Sequence, residues 1–204
     1  MATRIQIAKP DIVRTFAAGP RVLRQRDIAE VFNDGREFWR LTKSTSLSSF
    51  IRFMTEKTEL QAVRFEFPHR AVSGYTWGNV PLLETLLGLI ENSYYSHYTA
   101  LRLQGLTEQV PKTIYLSRER SIGSVVGREQ SDAYDQNAID VAFSRPPRVS
   151  KNEIELLDEQ VRVVLLEGAY QGGIGITAGE IPLGGERALH LRYSGLERTL
   201  IDVA

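Results

Sequence analysis

Hydroxyl-bearing and basic side chains crowd one stretch of this chain. Lys43, Ser44, Ser46, Ser48, Ser49, Arg52 and Lys57 fall within 15 residues, and Arg64, His69 and Arg70 follow soon after. Small hydroxyls approach phosphate oxygens closely, and an arginine fork fits either a phosphate or guanine. The chemistry suited to these residues is nucleic-acid contact. Other combinations are weaker. The acidic pairs Glu153/Glu155, Asp158/Glu159 and Asp132/Asp135 have the composition of a general acid and base. Their sequence surroundings are those of solvated strand and turn residues, and catalysis is not expected. Gly172-Gly173-Ile174-Gly175 lacks the Lys-Ser/Thr of a phosphate-binding loop, and no clear helix follows it. It reads as a turn needing positive φ. Cysteine is absent and His69, His97 and His190 are far apart, so thiolate metal sites are excluded and a histidine site is not expected. No cofactor is expected either.

The 204 residues carry 25 basic and 25 acidic side chains, but the balance is uneven along the chain. Residues 1–78 hold 13 Lys and Arg against 8 Asp and Glu, a net +5; residues 79–204 hold 12 against 17, a net −5. This split predicts two domains, 1–78 and 79–204, with different partners: phosphate backbones for the basic half, basic proteins or simply solvent for the acidic half. Leu82 to Ile90 is the richest apolar run, and Glu84 and Glu91 interrupt it. No run approaches the roughly 20 residues that span a bilayer, and the N-terminus has no signal-peptide core, so a cytoplasmic protein without membrane contact is expected.

The elements that would position the basic stretch are legible from periodicity. Ile12, Val13 and Phe16 share a helical face closed by Gly19-Pro20, and Val22-Leu23 is a short extended piece. Ile28, Ala29 and Phe32 repeat the helical pattern until Asn33-Asp34-Gly35. Leu47, Phe50, Ile51 and Met54 give a third helix with Ser46, Ser49, Arg52 and Lys57 on or near its outer side. Ala62 to Phe67 alternates as a strand, Pro68-His69-Arg70 turns, and Ser73 to Gly78 returns. Three helices and a hairpin form the order of a winged helix-turn-helix, in which the third helix enters the major groove and the hairpin touches backbone or minor groove. Asp34 to Thr42 reads as an insertion between the second and third helices. Trp39, Trp77 and the phenylalanines read as core. A non-DNA-binding version of the same fold, docking a protein partner, is the alternative.

In the C-terminal part, Ser96 to Tyr115 reads as helix, stop and strand. Ser96 is placed to cap, Gly105 to end the helix in a left-handed turn with Leu106 packing back, and Thr113 to Leu116 to run as a strand. Pro81 to Ile90 is a helix linking the halves, and 117–132 a polar loop whose charges are solvated. Asn137 to Phe143 is a short helix, and two strands cover 154–160 and 161–166, the second central. Ser194 and Glu197 form a capping box for a last helix, in which Glu197 and Asp202 make buried hydrogen bonds or a salt bridge with Arg198. The fold class is therefore α+β: a winged helix-turn-helix followed by a mixed α/β domain.

The stretch Ser96-His97-Tyr98-Thr99-Ala100-Leu101-Arg102-Leu103-Gln104-Gly105-Leu106-Thr107-Glu108-Gln109-Val110-Pro111-Lys112-Thr113-Ile114-Tyr115 resembles the C-terminal region of AbiEi-type antitoxins, the repressor halves of type IV toxin–antitoxin pairs. Ser194-Gly195-Leu196-Glu197-Arg198-Thr199-Leu200-Ile201-Asp202-Val203-Ala204 resembles a second block of that family. Tyr75-Thr76-Trp77-Gly78 is similar to the end of its wing, and Pro147-Arg148 to a Pro-Arg pair in it. The resemblance implies a non-enzymatic autorepressor. It would bind double-stranded DNA at inverted repeats in its own promoter, with a second copy on the other half-site. It would also counter a nucleotidyltransferase-like toxin, without a stable complex. Members of that family continue past the equivalent of Ala204, so part of the antitoxin domain is expected to be missing here.

Overall fold

A computed structural model describes residues 3–120, 136, 137, 140, 144, 150–182 and 187–203. The expected polar loop beyond Arg120, most of the short helix over 137–143, and Pro147-Arg148 lie outside the described residues. The chain divides into two compact units, residues 1–91 with 179–191, and residues 92–178 with 192–204. Both helices and sheets are present, an α+β composition. No helix among the described residues is long and apolar enough to cross a membrane.

The first unit begins with α1 (Arg4–Ala18), β1 (Val22–Leu23), α2 (Gln25–Gly35) and α3 (Leu47–Lys57), then β2 (Leu60–Phe65), β3 (Val72–Trp77) and α4 (Leu82–Leu89). Helix α1 starts at Arg4, ahead of the apolar positions Ile12, Val13 and Phe16 that mark it in the sequence, and it runs through Pro10. Two features hold the extra turns. Gln6 Oε1 accepts a 2.7 Å hydrogen bond from the Thr3 amide at the N-terminus, and Ala8 is buried on the same stripe as Ile12 and Phe16. In α2, the Asp27 carboxylate accepts from the Arg24 amide at 2.7 Å, which satisfies a free N–H at the helix start. Helix α3 has the boundaries its apolar spacing predicts, and Ser46 caps it by accepting from the Ser49 amide at 3.2 Å.

The short extended piece at Val22-Leu23 joins the hairpin. β3 lies between β1 and β2, antiparallel to both, with Val22 opposite Thr76 and Gln61 opposite Thr76 on its other side. Close approach fixes two glycines. A Cβ at Gly88 would lie 2.5 Å from Val22, and one at Gly74 only 2.2 Å from Leu89 and 2.8 Å from the Leu23 carbonyl. Helix α4 thus belongs with the first unit.

Phe50 is the centre of this core. It is fully buried, with ring centroids of Phe32, Trp39 and Phe16 at 4.9, 5.9 and 6.2 Å. Trp39 and Leu41, in the stretch that reads as an insertion, are both buried and anchor that connector to the core, whereas Phe38 beside them is exposed, contrary to the core position expected of it. The Trp39 ring lies so close to Gly35 that a Cβ there would approach it to 2.5 Å.

The second unit holds β4 (Ser93–Tyr95), α5 (His97–Leu103), β5 (Thr113–Glu119), β6 (Glu153–Leu156), β7 (Val161–Gly168) and α6 (Leu196–Val203). With β8 (Ile176–Ile181) and β9 (Leu189–Ser194), the strands form a sheet ordered β6-β7-β5-β4-β9-β8. β7 runs parallel to β5 and antiparallel to β6, so the most apolar strand is interior, as its sequence predicts. Helix α5 ends in a Schellman turn: Leu106 N donates to Leu101 O at 3.0 Å, Gly105 N to Arg102 O at 3.1 Å, and Gly105 has φ +71°. Leu106 itself is exposed, contrary to the packing expected of it.

Truncating Phe50 to Ala should cost about 3–5 kcal/mol in urea unfolding, because three aromatic neighbours lose their common contact. A loss under about 1 kcal/mol would mean the core closes around the gap and α3 is seated by something else.

Candidate nucleic-acid interface

At about 100° per residue, Ser48 and Arg52 each stand some 160° around α3 from Phe50. Burial of Phe50, Ile51 and Met54 therefore turns both outward, and both are exposed. Thr55 and Glu56 complete that face one turn on; sequence reasoning passed over both. Glu56 is exposed and makes no ion pair with Arg52. Lys57 is exposed, yet it lies on the Phe50 meridian at the end of the helix, so it is set apart from Ser48 and Arg52. Ser49 is half-buried and its hydroxyl donates to the Ser46 carbonyl at 2.8 Å, while Ser46 Oγ donates to Ser49 Oγ at 3.0 Å. These two serines close the helix start.

Ahead of α3, Lys43 and Ser44 are exposed on the connector. Arg36 Nη2 donates to the carbonyls of Thr42, Lys43 and Thr45 at 2.9, 2.8 and 3.2 Å, and its guanidinium lies 5.2 Å from the Phe32 ring centroid. The connector is held as one piece. On the hairpin, Arg64, His69 and Arg70 are all exposed. Arg64 is engaged by the Glu66 carboxylate, two residues along the chain. Among the described residues Lys43, Arg52, Lys57 and Arg70 make no ion pair. The sites expected from sequence thus divide into free cations (Lys43, Arg52, Lys57, Arg70), one paired cation (Arg64), two serines used in capping (Ser46, Ser49), and the exposed Ser44, Ser48 and His69.

The second unit carries a polar network that sequence reasoning missed. Glu119, read as a solvated loop charge, is largely buried at the end of β5. Its Oε2 accepts from the amides of Gln171 and Gly173, each at 3.0 Å, and its Oε1 from Arg198 Nη1 at 3.0 Å. Arg198 also donates to Ile174 O and, at 2.6 Å, to the Tyr94 hydroxyl, with its guanidinium 4.9 Å from the Tyr94 ring centroid. The glycine-rich turn has positive φ at Gly172, Gly173 and Gly175, as expected, and its amides bind an anion. That anion is the protein's own carboxylate. Arg198 therefore pairs with a residue far upstream, neither Glu197 nor Asp202 supplying the bond expected within the last helix.

Two caps expected from sequence are also replaced. Ser96 Oγ shares a 2.6 Å hydrogen bond with Ser117 Oγ and lies 2.9 Å from His97 Nδ1, and it makes no cap. Ser194 Oγ shares a 2.7 Å bond with Thr199 Oγ1. Gln104 Nε2 donates to Ser194 O at 3.0 Å and Thr199 Oγ1 at 3.1 Å, which joins α5 to α6. His97 stacks on Tyr115 with 5.1 Å between centroids. Burial lowers the His97 pKa, partly offset by the Asp202 carboxylate. Burial raises Asp202, partly offset by His97 and Arg198; among the described residues its buried Oδ2 has no hydrogen-bond partner. The Gln104, Ser194 and Thr199 hydrogen bonds fasten α6 to α5.

For Glu119, burial raises the pKa, but the two turn amides and Arg198 outweigh it and hold the carboxyl below its ordinary value. Its stabilisation is therefore present above the unfolded carboxylate pKa of about 4.3 and is lost as pH falls through the lowered folded value. Glu119→Gln should destabilise the second unit by about 3–5 kcal/mol near neutral pH, because it leaves Arg198 uncompensated. It should also flatten the acid limb of a pH–stability profile below pH about 4.3. An acid limb as steep in the variant as in the parent would remove Glu119 from this role.

No protein-family model matches the chain, and no curated protein matches it, which leaves the functional reading to the residues and their geometry.

Proposed function

We propose that this chain is a DNA-binding transcriptional autorepressor and the antitoxin of a type IV toxin–antitoxin pair, acting in the cytoplasm against a nucleotidyltransferase-like toxin. The observation that carries the DNA half is the connectivity of the first unit. Its helix, short strand, two helices and hairpin, with the short strand added to the hairpin, have the order of a winged helix-turn-helix. The exposed face of α3 is the part such a fold lays in the major groove. Ser48 and Arg52 stand there, Lys43 and Ser44 flank its start, and His69 and Arg70 sit on the turn of the wing. The antitoxin half is supported by its two resembling blocks, which lie about a hundred residues apart in sequence. They come together in the structure through Gln104, Ser194 and Thr199.

A duplex from the promoter of its own gene, set against a scrambled duplex at two salt concentrations, tests this reading. The chain should prefer the promoter and lose affinity steeply as salt rises. Arg52→Ala should erase about 1–3 kcal/mol of the preference, whereas Arg70→Ala should weaken both duplexes alike and lower the salt slope by about 1. Equal, salt-insensitive binding of neither or both duplexes would turn the reading to a protein-docking module.

A further inference from the structure

We infer that Arg40 is a phosphate contact flanking α3, kept at the expense of local backbone stability; this rests on the DNA-binding reading above. The turn after α2 closes as a second Schellman motif. Leu41 N donates to Arg36 O at 3.1 Å and Arg40 N to Glu37 O at 3.0 Å. Arg40 occupies the left-handed position of that motif with φ +50°. Glycine is the residue that adopts this conformation without a Cβ clash, and a long side chain there is disfavoured.

The neighbours of Arg40 fix where its side chain goes. Trp39 on one side and Leu41 on the other are 4% and 8% exposed, both anchored in the core around Phe50. Arg40 between them is exposed and makes no ion pair among the described residues. Two residues on, the Arg36 guanidinium pins the carbonyls of Thr42, Lys43 and Thr45, and the Ser46 cap of α3 follows directly. Arg40 and Lys43 are therefore two uncompensated cations on one fixed connector leading into the helix proposed to read DNA. A backbone phosphate beside the groove is the anion this placement suits. The contact carries no base information, because a phosphate is the same at every sequence.

Replacing Arg40 separates the two roles. Arg40→Gly relieves the left-handed strain and removes the charge, so it should raise the Tm by roughly 2–4 °C. It should also weaken binding about five- to tenfold at 0.1 M salt and lower the salt slope by about 1, on promoter and unrelated duplexes alike. Arg40→Lys keeps the charge and should bind within about twofold of the parent. If Arg40→Gly binds with unchanged affinity and slope while Arg52→Ala still loses the promoter preference, the inference falls and the interface reading stands. If Arg40→Gly lowers the Tm, the conformational argument is wrong and the inference falls with it. If the parent chain shows no salt-dependent DNA binding, both readings fall together.

Discussion

The packing of Phe50 among Phe16, Phe32 and Trp39 is the contact on which the rest of the first unit depends. A helix of 11 residues has one stripe to bury, and the choice of stripe determines everything its other side presents. With Phe50 fully buried, Ser48 and Arg52 have only solvent to face. The same ring also draws Trp39 inward. Trp39 in turn seats the connector, sends Arg40 outward between two buried neighbours, and delivers the chain to the Ser46 cap. A hydrophobic cluster with no polar function of its own thus arranges the charged surface.

The second unit solves a different problem with polar groups. A glycine-rich turn with several left-handed residues presents free amides, the kind of concavity that binds phosphates in other settings. Here the Glu119 carboxylate fills it, and Arg198 from the last helix completes the pair. Gly175 leaves room for the approach, since a Cβ there would come within 2.9 Å of Arg198. The carboxylate, the turn and α6 are consequently held by one buried ion pair. Removing one partner costs far more than the pair itself contributes, because a charge is left without water or counterion.

The parts legible in the sequence are those fixed by neighbours a few residues away. Helix α3 could be bounded from Leu47 to Lys57 because its apolar spacing is local. Gly105 could be placed as a left-handed stop for the same reason. Readings failed where a distant group outcompeted the local one. Ser96 stands at the start of its own helix, but its hydroxyl bonds that of Ser117, 21 residues on, and makes no cap. Glu119 looks like any loop charge until Gln171 and Arg198, 52 and 79 residues downstream, close around it. Burial of Trp39 was legible from its type, but its grip on the connector was not, because that requires knowing where Phe50 sits.

Hydrogen–deuterium exchange of the chain with and without its promoter duplex addresses the central claim most directly. The seating of α3 by Phe50 predicts that DNA slows exchange in Leu47–Lys57, the connector from Arg40 to Ser46 and the 66–71 turn, and leaves α5, α6 and the glycine-rich turn unchanged. Protection confined to the second unit, or absent everywhere under conditions of saturating DNA, would contradict it.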